Sequence, residues 1–248
     1  MKLYIATHKT YNFPPIDIYI PMQVGCNINP ILGYQCDNTG DNISSKNKLY
    51  CELTALYWAW KNDKSDIIGF VHYRRYFTPR KSKDIQDIIK KEEILNLLSE
   101  YDIIVPKPKW YLSSIKSHYI HCIKSRREAN TKHIELLRDV ICEICPAYLP
   151  SFDKQMSSHT AHMLNMFIMK KECFDNYCTW LFPILFKLEH KLEENNIIYE
   201  RIMGAFSEFL LDVWINYNHH SYIEMPILET EKNLRKKIKW AFKRMFFE

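Results

Sequence analysis

The chain has 248 residues and a mass of 29.9 kDa, enough for one large α/β domain, and its 47% hydrophobic and 25% charged residues exclude a disordered or fibrous polypeptide. The net charge of +5 is modest, and seven Lys and Arg residues fall between Glu229 and Glu248, so the chain lacks the distributed basic surface of a nucleic-acid binder. No run of about eighteen apolar residues spans a membrane and Met1-Lys2-Leu3-Tyr4 does not open a signal peptide, so the eight cysteines are expected reduced in a cytoplasmic protein.

Leu3-Tyr4-Ile5-Ala6-Thr7 reads as a buried strand that ends at His8-Lys9. Pro14, Pro15 and Pro21 break up the next segment. An irregular loop then leads to Asp37-Asn38-Thr39-Gly40-Asp41-Asn42-Ile43-Ser44, rich in side chains that bond backbone and hydroxyl groups, with Ser44 or Ser45 placed to cap a helix. Over Lys46 to Asn62, Leu49, Leu53, Leu56, Tyr57 and Trp60 fall on one helical face, and Tyr50, Thr54 and Trp58 occupy the other side. Such a helix is buried or lines a cleft, and Glu52 within it is an acid that needs a partner or a task.

In Asp66-Ile-Ile-Gly-Phe-Val-His-Tyr-Arg-Arg-Tyr-Phe77 a short apolar run ends in an imidazole, two guanidiniums and two phenols. A buried strand that delivers polar groups to its carboxyl end looks like this, and ligands of open α/β sheets bind at that edge. Arg74 and Arg75 present planar forks of donors suited to phosphate, although a surface Arg pair between core aromatics is an equal reading of this stretch alone.

An amphipathic helix is expected over Lys83 to Glu100, a strand over Tyr101 to Pro106, and a helix over Lys132 to Cys145. His118 is a weak candidate for a cleft wall. Cys142 and Cys145 form a single pair with no second pair at zinc spacing, and His159 and His162 have no third ligand nearby, so core thiols and hydrogen bonding are preferred to metal binding. Asn165 to Met169 reads as a fourth strand and Lys171 to Glu194 as a packing helix kinked at Pro183. In a last long helix over Tyr199 to Tyr217, Arg201, Gly204, Glu208 and Asp212 share one face, for which a solvated salt-bridged stripe is the favoured reading from spacing. Leu234, Ile238, Ala241, Phe242 and Met245 then oppose a row of cations over Lys232 to Phe247, the pattern of a helix lying on an anionic bilayer. Domains are therefore set at 1–228 and 229–248.

The blocks Tyr4-Ile-Ala-Thr-His-Lys9, Asp37 to Ser44, Cys51-Glu-Leu-Thr-Ala-Leu-Tyr-Trp58, Trp60-Lys-Asn62, Gly69 to Phe77 and Ala161-His-Met-Leu-Asn-Met-Phe-Ile-Met169 stand in this order. Together they resemble the bacterial glycosyltransferase family, long labelled a domain of unknown function, that occurs in capsular, exopolysaccharide and lipopolysaccharide clusters, and the likeness runs to about Trp214. The resemblance implies a GT-A-like α/β domain with a central, mostly parallel sheet flanked by helices. It also implies transfer of galactofuranose or galactose from a UDP-sugar to a lipid-linked or oligosaccharide acceptor at the inner face of the plasma membrane. On this basis His8, Lys9, Asp37, Asp41, Asn42, Lys46, His72, Arg74 and Arg75 are assigned to the donor, His162 and Asn165 to the acceptor, and Glu208 to the general base of an inverting transfer.

Such domains normally carry Asp-x-Asp on a divalent cation where this chain has His72-Tyr73-Arg74-Arg75. No metal or other cofactor is therefore expected, with manganese or magnesium held through Asp37 and Asp41 as the less favoured alternative. Relatives usually show Glu-Arg where this chain has Glu208-Phe209, which puts the role of that Arg in doubt here. The rival reading is a non-catalytic scaffold that binds UDP-sugars or glycans in a membrane assembly.

Overall fold

The computed structural model describes residues 1–124 and 132–231; the basic amphipathic tail expected from Lys232 onward lies outside them. Leu3 to Ala6 are all buried in β1 (Lys2–Thr7), and parallel to it runs β2 (Tyr19–Gln23), followed by a short β3 (Gln35–Cys36). The first of these strands was expected, whereas β2 falls in the stretch read as irregular because Pro21 interrupts it. That proline lies opposite Ile5, while β3 reaches only Met22 and Gln23, so Pro21 occupies a part of β2 that is an edge.

The helix expected over Lys46 to Asn62 is two elements, α1 (Asn47–Tyr50) and α2 (Leu53–Asn62), separated at Cys51 by a left-handed φ of 52°. Ser44 is not its cap; its hydroxyl donates to Asp37 Oδ1 at 2.5 Å. Strand β4 (Ile67–His72) turns tightly into β5 (Arg75–Phe77). The helix expected from Lys83 begins only at α3 (Lys91–Glu100), because Ile88 and Lys90 are extended and the Ile89 N–H donates to the Phe77 carbonyl at 2.9 Å. The remaining elements are β6 (Ile103–Pro106), β7 (Lys109–Trp110), α4 (Ile115–Lys124), α5 (Lys132–Ile144), α6 (Leu149–Ser157), β8 (Thr160–Ala161), β9 (Phe167–Lys170), α7 (Lys171–Glu194), α8 (Ile202–Asn218), β10 (Tyr222–Met225) and β11 (Ile227–Glu229). Helix α7 runs unbroken through Pro183.

The main sheet has the order β10-β6-β9-β4-β1-β2-β3. Its pairs are parallel except that β9 lies antiparallel between β4 and β6, and β5 joins β4 to β11 through antiparallel pairings. This is the mostly parallel, helix-flanked α/β sheet expected. Alternation along the strands sends side chains to two cores. Tyr4, Ala6, Ile68 and Phe70 face α2 and helices α5 to α8, and Leu3, Ile5, Ile67 and Val71 face α3 and the β5–β11 flap. Gly69 is the concession that permits this: a Cβ there would lie 3.0 Å from both Leu3 Cγ and Ile168 Cγ1. Because β1 and β4 are parallel with Ala6 opposite His72, their carboxyl ends open at the same edge.

Candidate active site

Past the ends of β1 and β4, the chain gathers cations around one ring. The His8 imidazole meets the Tyr73 ring edge-on at 5.4 Å, Lys9 Nζ lies 4.9 Å from its centroid and Arg74 Cζ 5.1 Å from it. Arg74 Nη1 also contacts Glu231 Oε2 at 3.1 Å, Lys9 Nζ contacts Glu231 Oε1 at 3.7 Å, and Arg75 Nε contacts Glu229 Oε1 at 3.2 Å. These carboxylates arrive on β11, whose Glu229 is in register with Arg75, and the Thr230 N–H donates to the Arg74 carbonyl at 3.0 Å.

The opposite wall carries acids, Glu52, Glu208 and, next to Arg201, Glu200. At the break between α1 and α2, Glu52 turns into the cleft, and its Oε1 accepts from Asn165 Nδ2 at 2.7 Å. Glu208 reaches the same space from α8. Together with His8, His72, Arg74, Arg75 and Arg201 these acids line a cleft of about 370 Å³. Arg201 stands just ahead of α8 with a left-handed φ of 69°, its backbone N–H donating to the Lys48 carbonyl at 2.7 Å.

This crowding separates the protonation states. Burial, with the Glu52 charge as the next cause, pushes the Glu208 carboxyl up to about 7. Burial first, and Lys9, Arg201 and Arg74 after it, lower the pKa of His8. Burial likewise lowers that of His72 against the pull of Glu52, with Arg75 and Arg74 adding to the decrease. Both imidazoles are thus favoured neutral at pH 7, and His72 Nε2 bonds the Leu164 carbonyl at 2.5 Å. A cationic wall faces an acid whose affinity for a proton is balanced near neutrality, the combination needed to hold an anionic leaving group and accept a proton.

Residues 2–220 match the family model described as Domain of unknown function (DUF4422). The chain belongs to this family. Among solved structures it is similar to one titled "WbbM bifunctional glycosytransferase apo structure", with a TM-score of 0.81 and 28% sequence identity over 93% of this chain and 45% of that one. The chain therefore spans less than half the length of that glycosyltransferase. No curated protein matches at a comparable level.

Not every residue assigned to a site from the sequence lines the cleft of this DUF4422 member. His8, His72, Arg74, Arg75 and Glu208 do, and Lys9 stands beside them on Tyr73. Asp37 is fully buried behind the cleft and accepts from the backbone N–H groups of Gly25 at 2.7 Å and Cys26 at 3.1 Å. It pins a loop. Asp41 accepts from Tyr57 Oη at 3.1 Å and Asn42 donates to the Gly40 carbonyl, so both build the outer turn. Lys46 is engaged by Glu189 at 2.8 Å.

The two acceptor assignments are also internal. His162 is buried with Nδ1 2.5 Å from Asp212 Oδ1 and Nε2 3.3 Å from Glu224 Oε1; burial alone would lower its pKa, but the two carboxylates hold it above the usual value. Asn165 is buried between Glu52, Gly204 and Ser207. His118 packs on Tyr111, with ring centroids 4.1 Å apart. The face of α8 read as solvated is instead internal: Gly204 and Asp212 are buried and Glu208 lines the cleft, while Arg201 precedes the helix.

The sequence reading assigned Glu52 and Arg201 no role in the site. Glu52 carried a signal, since an acid within an aromatic helix demanded a partner. Arg201 was set on the Glu208 face as part of a solvated stripe, whereas it reaches the cleft from the left-handed turn before α8. The donor set does not fit a divalent cation of the Asp-x-Asp kind: the place past β4 holds an imidazole and two guanidiniums, and no three His, Cys, Asp or Glu side chains among the described residues cluster as ligands.

Proposed function

We propose that this chain is a glycosyltransferase that moves a sugar, galactofuranose or galactose by preference, from a UDP-sugar to a lipid-linked or oligosaccharide acceptor in surface polysaccharide synthesis. The observation that carries this reading is the cleft in which Arg74, Arg75 and Arg201 face Glu208, in a fold similar to part of a glycosyltransferase. The guanidiniums receive the diphosphate as negative charge develops on it, so the protein's own cations do the work assigned elsewhere to a divalent ion. His8, neutral, offers a ring N–H to phosphate or sugar oxygens, while neutral His72, whose Nε2–H is used on the Leu164 carbonyl, leaves only Nδ1, an acceptor for a sugar hydroxyl.

Glu208, ionised, takes the proton of the acceptor hydroxyl. That oxygen forms the new bond to the anomeric carbon on the face opposite UDP, the bond from that carbon to the phosphate oxygen breaks, and UDP leaves with the electron pair. Configuration inverts. A panel of UDP-sugars incubated with acceptor glycans tests the assignment through acceptor-dependent UDP release. Glu208→Gln is expected to lower kcat by about 10²–10⁴-fold while UDP still binds. UDP binding by the wild type without turnover for any donor and acceptor supports the scaffold instead, and normal turnover by Glu208→Gln removes that residue from the role.

A further inference from the structure

The role given to Glu208 leaves a second carboxylate in the same cleft without a task. Glu52 is held there by a dedicated arrangement. Asn47 Nδ2 and Thr54 Oγ1 both donate to the Cys51 carbonyl, at 2.7 and 3.1 Å, and so fix the break in the helix from either side. Asn165 Nδ2 donates to Glu52 Oε1 at 2.7 Å and reaches the Gly204 carbonyl at 3.1 Å, while Ser207 Oγ donates to Asn165 Oδ1 at 2.9 Å. Gly204 and Glu208 are one turn apart on α8. One amide therefore ties the turn that carries Glu52 to the helix that carries Glu208.

Two features show that the backbone is shaped for this contact. A Cβ on Gly204 would lie 3.2 Å from Cys51 Cβ, so the helix approaches the turn as closely as glycine permits. Leu164 and Asn165 adopt φ of 90° and 49°, a rare pair of left-handed non-glycine residues that persists only where the surroundings enforce it. The compensation is local. The Leu164 carbonyl bonds His72, its backbone N–H serves Glu208, and the Asn165 side chain serves Glu52.

We propose that Glu52 is a positioning residue for Glu208: fixed by the Asn165 amide in the cleft that Glu208 also lines, its carboxylate tunes how readily that neighbour takes the acceptor proton. The inference rests on the general-base reading of Glu208. The other charged groups around Glu208 oppose it, Lys109 from β7 and Arg75 from β5 by their charge, and the Leu164 N–H by its hydrogen bond. His8, Lys48, Cys51, His72, Arg74, Glu200 and Arg201 line the same cleft. Glu52 is the one acidic neighbour, among the described residues, whose charge is assigned to raising the Glu208 pKa.

The pH profile of kcat/KM tests this. Glu52→Gln is expected to move the acid limb downward by about one pH unit, and Glu52→Asp, which keeps the charge, to leave it near the wild-type position. Asn165→Gly accommodates the left-handed φ and removes the amide; it is expected to shift the limb in the same direction, since the Glu52 carboxylate is then no longer held in place beside the helix that carries Glu208. An unmoved limb in active Glu52→Gln overturns the proposal, as does complete loss of turnover with UDP binding intact, which would make Glu52 a participant in the chemistry. Should Glu52→Gln not fold, an unmoved limb in Asn165→Gly overturns it equally. Glu208→Gln, assayed in parallel, separates the two levels: if it is active the general-base reading fails, and if it is inactive with the limb unmoved only the role of Glu52 fails.

Discussion

A carboxyl group whose pKa is higher in the folded chain than in the unfolded one favours folding only while it keeps its proton. Glu208 is such a group, raised from an ordinary 4.5 to about 7 by burial and by Glu52. Its contribution is fully present below about pH 4.5 and is lost as the pH rises through 7. Glu208→Gln should therefore raise the stability at pH 8 by about 1–3 kcal/mol and leave it nearly unchanged at pH 4, read from denaturant melts at the two pH values; equal effects at both would show that the charge is not the cause. The Asp37 carboxylate satisfies two backbone donors and the Ser44 hydroxyl in a fully buried place, so Asp37→Ala should cost about 2–4 kcal/mol. A donor ligand at this position would instead show a raised KM with an unchanged melting temperature. Sequence composition cannot separate these cases, because a polar loop that pins itself and one that binds a sugar use the same Asp, Asn and Ser.

At the scale of elements, the main event is the pairing of β11 with β5, beside the turn that follows β4. Glu229 and Glu231 lie on Arg75, Arg74 and Lys9, the cations expected to receive a diphosphate. These pairs are partly exposed and individually weak, yet an incoming phosphate must compete with them. The double variant Glu229→Gln, Glu231→Gln is expected to bind UDP a few-fold more tightly by calorimetry, whereas Arg74→Ala should weaken binding by about 10–100-fold. Weaker binding in the double variant would mean that β11 organises the cations and does not compete for them.

Elements with strong periodicity were legible: β1, β4, α5, α7 and α8 stand close to where their patterns put them. Those decided by single residues were not. A left-handed Cys51 splits a helix whose apolar spacing continues across the break, and β2 includes a proline tolerated only because β3 is two residues long. Strand β11 runs to Glu229, across the domain boundary drawn at residue 228.

On the scale of the molecule, parallel β1 and β4 turn two separate motifs, His8-Lys9 and His72 to Arg75, into one wall. This much of the site was legible in the polar groups at the ends of apolar runs. Of the facing wall only Glu208 was named for the site; Glu52 is 156 residues away and is tied to its helix through Gly204 and the left-handed Leu164 and Asn165, which no periodicity announces. The resulting charge layout decides how a nucleotide diphosphate can be held. Arg74, Arg75 and Arg201 bring permanent positive charge to the cleft; Glu231 and Glu229 already engage Arg74 and Arg75, and across the cleft Glu52 is engaged by Asn165 while Glu208 shares its proton near neutrality. A divalent ion placed there would lie among guanidiniums, at a Coulomb cost of about 4 kcal/mol for each pair of unit charges 4 Å apart, and would have to draw on carboxylates that already have partners. Turnover of a UDP-sugar should therefore persist after exhaustive dialysis against EDTA, and added manganese should change kcat less than two-fold. Loss of turnover in EDTA with recovery on manganese would reverse this account, because the cations would then be binding the nucleotide without supplying the charge that its departure requires.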